Sequence, residues 1–287
     1  MKQALKSKNI VSSSFHKEGV LVIENDKIVG VFDQVNPIEV DHFEDYGDQY
    51  IMPGIVDTHV HVNEPGRTDW EGFETATQAA AAGGITTLID MPLNCLPVTT
   101  TKEAFEIKLE AIKGKLFVDV GFWGGVTPPS LKDLPELLKS GVLGVKSFLI
   151  DSGIPEFPPM TEKDLHLAMP LLSKEGVPYL IHAEIDEENT KDITITKKYQ
   201  TFLDSRPRSW ENRAIELMGL LSEKYNCKVH IVHLSSSDLL PFFSEKKKRN
   251  VPLTVETCPH YLLLASEKIP DGKTLFKCCP PIREDEN

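Results

Sequence analysis

An alternation that starts at Ile51 constrains this chain more than any other feature of its sequence. Short apolar runs recur, the first at Ile51 and the others at Ile85 to Met91, Leu116 to Gly125, Gly141 to Ile150, Val177 to Glu184, Lys228 to Ser236 and Val251 to Thr257. Between them lie stretches with helical spacing, among them Trp70 to Gly83, Thr101 to Lys115, Thr161 to Gly176 and Ser209 to Tyr225. Near-continuous apolar strands alternating with helices predict a parallel sheet covered by helices, because a strand buried on both faces has no polar side. Seven such strands are legible, one fewer than a (β/α)8 barrel needs in its typical span of about 250 residues. The expected fold is an α/β (β/α)8 TIM barrel, incomplete at about seven strands, over residues 51–287. Residues 1–50 read as a separate small β unit. There, "GVLVIENDKIVGVFD" (Gly19 to Asp33) gives two alternating runs around "ENDK", a hairpin signal.

In such a barrel, reactive groups collect at the carboxyl ends of the strands. The polar residues that close each apolar run are therefore the candidates. The first run closes on "DTHVH", and residues i and i+2 of a strand share a face, so His59 and His61 project together. A shared metal is one common use of two adjacent imidazoles. The fourth run supplies Lys146, the fifth His182 and the sixth His233. Taken singly, each has an ordinary reading, a hydrogen-bonded structural histidine or a lysine leaning out to solvent. Four histidines and a lysine at one relative height on four strands point to a common site. His16, His42 and His166 fall outside strand ends and read as solvated or packing residues. His230, inside the sixth strand, is expected to face away from His233 and to be structural. Lys146 sits in the apolar segment "GVLGVKSFLI", where burial lowers a lysine pKa and frees the amine. A free amine can add carbon dioxide to give a carbamate, an anion with two oxygens able to bridge two cations.

Charge and cysteine content narrow the alternatives. A formal charge of −12 argues against nucleic acid or an anionic membrane surface as partner. No apolar stretch reaches the ~20 residues that span a bilayer. The opening "MKQALKSKNIVSS" is basic but lacks a secretory apolar core. Five scattered cysteines without a C-x-x-C pair predict a reduced intracellular compartment and no cysteine-ligated zinc. The cytoplasm is the first expectation, with mitochondrial and peroxisomal locations left open. The basic run "EKKKRN" (Glu245 to Asn250) suits the carboxyl end of a surface helix.

The segment "GIVDTHVHVNEPGRTDWEGFETATQAAAAGGITTLIDMPLNCLPVT" resembles the opening of the cyclic amidohydrolases, and within them the allantoinase branch. The resemblance continues through "GVKSF", "HAE", "SRP", "HIVHLSS", "ETCPHY" and "KCCPPIRE" and covers nearly the whole chain. It implies a barrel of the metal-dependent hydrolase type, with the N-terminal β unit forming half of a composite β-sandwich. It also implies metal ligation by His59, His61, carboxylated Lys146, His182 and His233, holding two divalent ions, zinc first. Dihydroorotases of similar type carry an arginine two residues after the second histidine, whereas this chain has Asn63. The combination of "NEPGRTDWEG" with "MPLNCLP" is similar to allantoinases, implying hydrolytic opening of the cyclic ureide allantoin to allantoate in purine catabolism. By the same resemblance Asn94 and Cys279 contact the substrate, the latter through its main chain, and the assembly is a homotetramer. Asp57, just before the histidine pair, either fixes a histidine tautomer or caps the strand.

One part of the family pattern is missing. The resemblance implies an eighth strand whose aspartate binds one metal and shuttles a proton, and no such strand precedes Asn287. Glu284, Asp285 and Glu286 follow a motif upstream of that element, so they are not expected to substitute. Loss of a general acid/base commonly lowers rate by about 10² to 10⁴, so turnover by this chain alone is expected to be at least about a hundredfold below a form extended through that strand. The alternative function is a non-catalytic, dihydropyrimidinase-like assembly protein.

Overall fold

A computed structural model describes residues 1–34, 39–187 and 193–287. The chain divides into two compact units, Met1–Val56 with Gly84–Thr86, and Asp57–Gly83 with Thr87–Asn287. The division therefore falls at Val56, a few residues beyond the change of pattern at Ile51.

The first unit is a five-stranded sheet of β1 (Lys2–Val11), β2 (His16–Glu24), β3 (Lys27–Phe32), β4 (His42–Asp45) and β5 (Tyr50–Ile51). The order is β3-β2-β1-β4, with β5 also paired to β1. The "ENDK" segment makes the expected hairpin. Asn25 and Asp26 take φ of 49° and 64°, and two central residues in the left-handed region twist a tight turn to match its strands. Ala4, Val20 and Val22 form its small core against Val40 and Phe43.

The second unit carries the strand and helix alternation. Its strands are β6 (Ile55–Val60, which begins in the first unit), β7 (Ile85–Asp90), β8 (Asp119–Phe122), β9 (Gly124–Gly125), β10 (Val145–Phe148), β11 (Tyr179–His182), β12 (Val229–Ile231) and β13 (Leu253–Val255). Helices α1 (Phe73–Ala82), α2 (Lys102–Ala111), α3 (Leu134–Lys139), α4 (Glu162–Glu175), α5 (Tyr199–Asp204), α6 (Arg208–Tyr225), α7 (Leu240–Lys248) and α8 (Pro259–Leu263) lie between and after them. The strands form two sheets, β6-β7-β8 and β9-β10-β11-β12-β13. The third apolar run is split between them: β8 pairs with β7, β9 pairs with β10, and Trp123 lies at the break. Every registered pair in these sheets is parallel. The seven expected runs thus stand in chain order as seven barrel strands. At the break the backbone needs glycine. A Cβ on Gly125 would stand 2.5 Å from the Phe157 ring.

Alternation along the central strands sorts side chains into two layers. Val145, Tyr179, Ile181, Val229 and Ile231 pack with the helix residues Leu165, Met169, Leu172, Ile215 and Met218. The intervening positions Phe148 and Leu180 pack instead with Met91, Leu93, Val98, Phe157 and Val232. Helix α4 shows how the sequence sets one of these contacts. Leu165, Ala168, Met169 and Leu172 recur at helical spacing and are all fully buried, Thr161 and Asp164 form a capping box, and Gly176 closes the helix at φ 67°. Burial of each large apolar side chain contributes roughly 1.5–3 kcal/mol. Helix α7 ends at Lys248 with three lysines in its last turn, as the basic run predicts. Among the described residues no helix is long and apolar enough to cross a membrane, and all five cysteines are free.

Candidate metal centre

The strand layering brings the predicted residues together. Lys146 on β10 and His182 on β11 occupy the inward positions beside Leu180 and Phe148, in register across the two strands. His59 lies on β6, His61 one residue beyond it, and His233 two residues beyond β12. The rings of His59 and His61 stand 5.5 Å apart, those of His59 and His233 5.5 Å, and those of His182 and His233 4.6 Å. His182 Nδ1 is 3.1 Å from His233 Nε2. The His182 ring stacks on Phe148 at 4.5 Å, and Lys146 Nζ lies 5.2 Å from the centre of the same Phe148 ring.

Electrostatics favour neutral bases at every one of these positions. Burial lowers the pKa of His182 and His59, and drives His61 and His233 well below the ordinary histidine value; the Lys146 charge pushes all four in the same direction. Lys146, only 1% exposed, is brought down by burial to about 7, against opposing pulls from Glu256 and Cys258. A large part of its amine is therefore unprotonated near neutral pH. Metal ligation and carbamate formation both need that state.

Two carboxylates orient the imidazoles. His182 Nε2 lies 2.7 Å from Glu184 Oε2, and Arg206 donates to the same oxygen at 2.6 Å. Burial would raise Glu184, yet hydrogen bonds and charge from His182 and Arg206 hold it below the usual value. An ionised carboxylate only accepts, so the proton sits on Nε2 and the Nδ1 lone pair faces His233. On the other side His59 Nδ1 bonds Glu256 Oε1, and His230 Nε2 approaches Glu256 Oε2 at 3.2 Å. Burial would raise Glu256, but its hydrogen bonds from His230 and His59 prevail and hold it at about 2. The arrangement is an ionised carboxylate accepting from a neutral imidazole.

Beneath His182 a buried network ties three distant segments. Glu211 accepts from the Ser235 and Ser236 amides and from Arg283 Nη2 at 2.9 Å, while Arg283 Nη1 donates to the Arg206 carbonyl. The acidic tail is engaged elsewhere, Glu284 with Arg208 at 2.6 Å and Asp285 with Lys268 at 3.0 Å.

One sequence expectation, the orientation of His230, needs correction. Asp57 lies within β6, where its Oδ1 accepts from the His59 amide at 3.1 Å, and Glu256 is the carboxylate on the His59 ring. His230 shares Glu256 with His59 and does not point away from the site. The expectation carried strand alternation as far as His233, but β12 ends at Ile231 and His233 takes φ 44°, so period-two counting stops short of it. Asn94 takes φ 72°, and its carbonyl accepts from Arg67. Cys279 is exposed and within electrostatic reach of Arg206 and Glu184. Asn63 is buried with Oδ1 unpaired. Glu256 and Glu184 were the functional residues missed. Glu256 closes the seventh apolar run, and the strand-end criterion applied to that run finds it.

Neutral imidazoles with free ring nitrogens are the kind of donor that holds a divalent cation. Buried His61 Nδ1 and His233 Nδ1 have no hydrogen-bond partner. Two nitrogens on one tetrahedral zinc stand about 3.3 Å apart, close to the separation of His182 Nδ1 and His233 Nε2. Among the described residues no group of three or more His, Cys, Asp or Glu gathers as a metal site. By position in the chain the histidines fall into two pairs, an outer one of His59 and His61 and an inner one of His182 and His233, with His59 and His233 also 5.5 Å apart. Lys146 is the group able to supply both pairs with a third donor, once it carries a carboxylate.

Comparison with known proteins gives consistent results. Residues 50–274 match the amidohydrolase family model. The chain is 52% identical over 244 residues to the mitochondrial allantoinase of Aquarana catesbeiana, covering 85% of this chain and 50% of that protein. It is 46% identical to the allantoinase of Saccharomyces cerevisiae, covering 94% of this chain and 58% of that protein. The L-hydantoinase of Arthrobacter aurescens superposes with a TM-score of 0.91 at 26% identity, over 99% of this chain and 64% of that structure. The chain spans between half and two-thirds of the length of these relatives.

Proposed function

This chain belongs to the amidohydrolase family, and we propose that its site opens the cyclic ureide ring of allantoin by hydrolysis, with two divalent ions held by His59, His61, Lys146, His182 and His233. The observation that carries this reading is the grouping of four neutral imidazoles around a lysine freed by burial. Relatives named allantoinase support the choice of substrate and count against the assembly-protein alternative. When bound, such ions would supply Lewis acidity, lowering the pKa of a water and polarising a ring carbonyl. Zinc is the expected metal, because two imidazole nitrogens per ion with carboxylate oxygen suit it.

The chain's own residues do the preparatory work. Glu184 and Glu256 keep protons on the outer nitrogens of His182 and His59, so the other nitrogens stay free as ligands. Phe148, stacked on His182, keeps water from one face of the site. Lys146, if carboxylated, would offer an oxygen to each histidine pair. Cys279 and Asn94 are the proposed substrate contacts, and a tetramer in the cytoplasm is the proposed assembly and location. The test is allantoate formation by the purified, zinc-loaded protein. Lys146→Ala is expected to lower it at least about a hundredfold, and an unchanged rate overturns the reading.

A further inference from the structure

Glu256 differs from the other groups around the centre because it is attached to both histidine pairs. Its Oε1 takes His59 Nδ1, and its Oε2 takes His230 Nε2 at 3.2 Å. His230 is itself fixed through Nδ1 to Thr254 Oγ1 at 2.8 Å, on the strand that leads into Glu256. The Glu256 backbone reaches the other pair. Its amide donates to the Ile231 carbonyl at 3.0 Å, and its carbonyl accepts from the Leu234 amide at 2.8 Å. Those two bonds bracket Val232 and His233, the latter held in the left-handed region at φ 44°, a conformation that a bulky side chain keeps only when its surroundings enforce it.

We propose that Glu256 is the positioning residue that couples the two halves of the centre: its carboxylate sets the His59 tautomer and its main chain clamps the turn carrying His233. The inference rests on the metal-binding reading above. The two functions are separable, because substitution of the side chain removes the first and spares the second. A carboxylate can only accept, so it keeps the His59 proton on Nδ1 and leaves Nε2 as the donor to a cation. Among the described residues Glu256 is the hydrogen-bond partner of the His59 ring, and without it the ring is free to turn or to change tautomer. His230 serves as the second anchor that stops the carboxylate from rotating.

The test uses Co²⁺ binding to the whole chain, followed by visible absorption and by metal content after desalting. The unmodified chain is expected to hold two ions. Glu256→Ala is expected to weaken one of the two by about 10- to 100-fold and to leave the other, whose retention depends on His233. Glu256→Gln, which still offers an accepting oxygen to His59, is expected to recover most of the loss, and it separates positioning from a failure to fold. His230→Ala is expected to give a smaller weakening of the same ion. Equal, undiminished binding of two ions by Glu256→Ala overturns the inference alone, as does equal weakening of both ions in Glu256→Gln. Failure of the unmodified chain to bind any ion overturns the reading of the site on which it rests.

Discussion

The two histidine pairs are built differently. His182 lies in a region where every residue of β10 and β11 is buried. Strand register alone sets Lys146 against Leu180 and Phe148 against His182. His59 lies on β6, whose residues are half-buried or exposed, and β6 is the outermost strand of its sheet. Its position depends on side chains: Asp57 on its amide, Glu256 on its ring, and Asp90, which accepts from the Val62 amide just beyond His61 at 2.8 Å. One pair inherits its geometry from packed backbone. The other needs individual hydrogen bonds to acquire it. Substitutions of polar groups are therefore expected to disturb the outer pair through geometry, and the inner pair chiefly through buried charge.

The largest effect is expected at Lys146. Its folded pKa of about 7 lies below the ordinary lysine value of 10.5, so in metal-free protein the folded state favours the neutral amine and burial of the charge opposes folding. Unfolded chain binds the extra proton between those values, and stability rises with pH across that window. Metal-free Lys146→Met should exceed the unmodified chain by about 5 kcal/mol at pH 7 and below. The gap should narrow to roughly half by pH 9, as read by urea unfolding at both values. A constant gap contradicts the buried, neutral lysine.

Next is Glu184. It is fully buried between His182 and Arg206, and removing one partner of a buried pair typically destabilises by about 3–5 kcal/mol. Glu184→Ala should do so in a thermal or urea melt, and Glu184→Gln should recover part of it. On the outer side, Lys108 and Asp90 form a fully buried ion pair at 2.5 Å. Burial raises Asp90 to about 6 despite Lys108, so the orphaned acid in Lys108→Met can take a proton near neutrality. A loss of about 3 kcal/mol at pH 7, shrinking as pH falls below 6, is expected from the same melt. The smallest effect is at His230: loss of one partly buried hydrogen bond in His230→Ala should lower stability by about 1 kcal/mol.

The sequence was most informative where periodicity and burial coincide. The seven apolar runs became the seven barrel strands; "VKSF" and "YLIH" are buried whole, whereas β6 is half-buried or exposed. The five strand-end residues were legible from the ends of those runs, and the structure brings the four histidines among them within ring contact of one another. Glu184 and Glu256 were harder to recognise, because a carboxylate's role depends on which imidazole the fold brings to it. His59 and Glu256 are 197 residues apart in the chain. His230 was misjudged because the turn at His233 breaks the alternation that was used to orient it. Short helices such as α3 and α5, six residues each, carry too little periodicity to stand out.

The most direct test of the account is the metal content of the purified chain and of Lys146→Ala after equilibration with zinc and bicarbonate. The account predicts two ions per chain, falling below one when the lysine is removed, because each histidine pair then has only two donors. Two ions retained without Lys146 would contradict it.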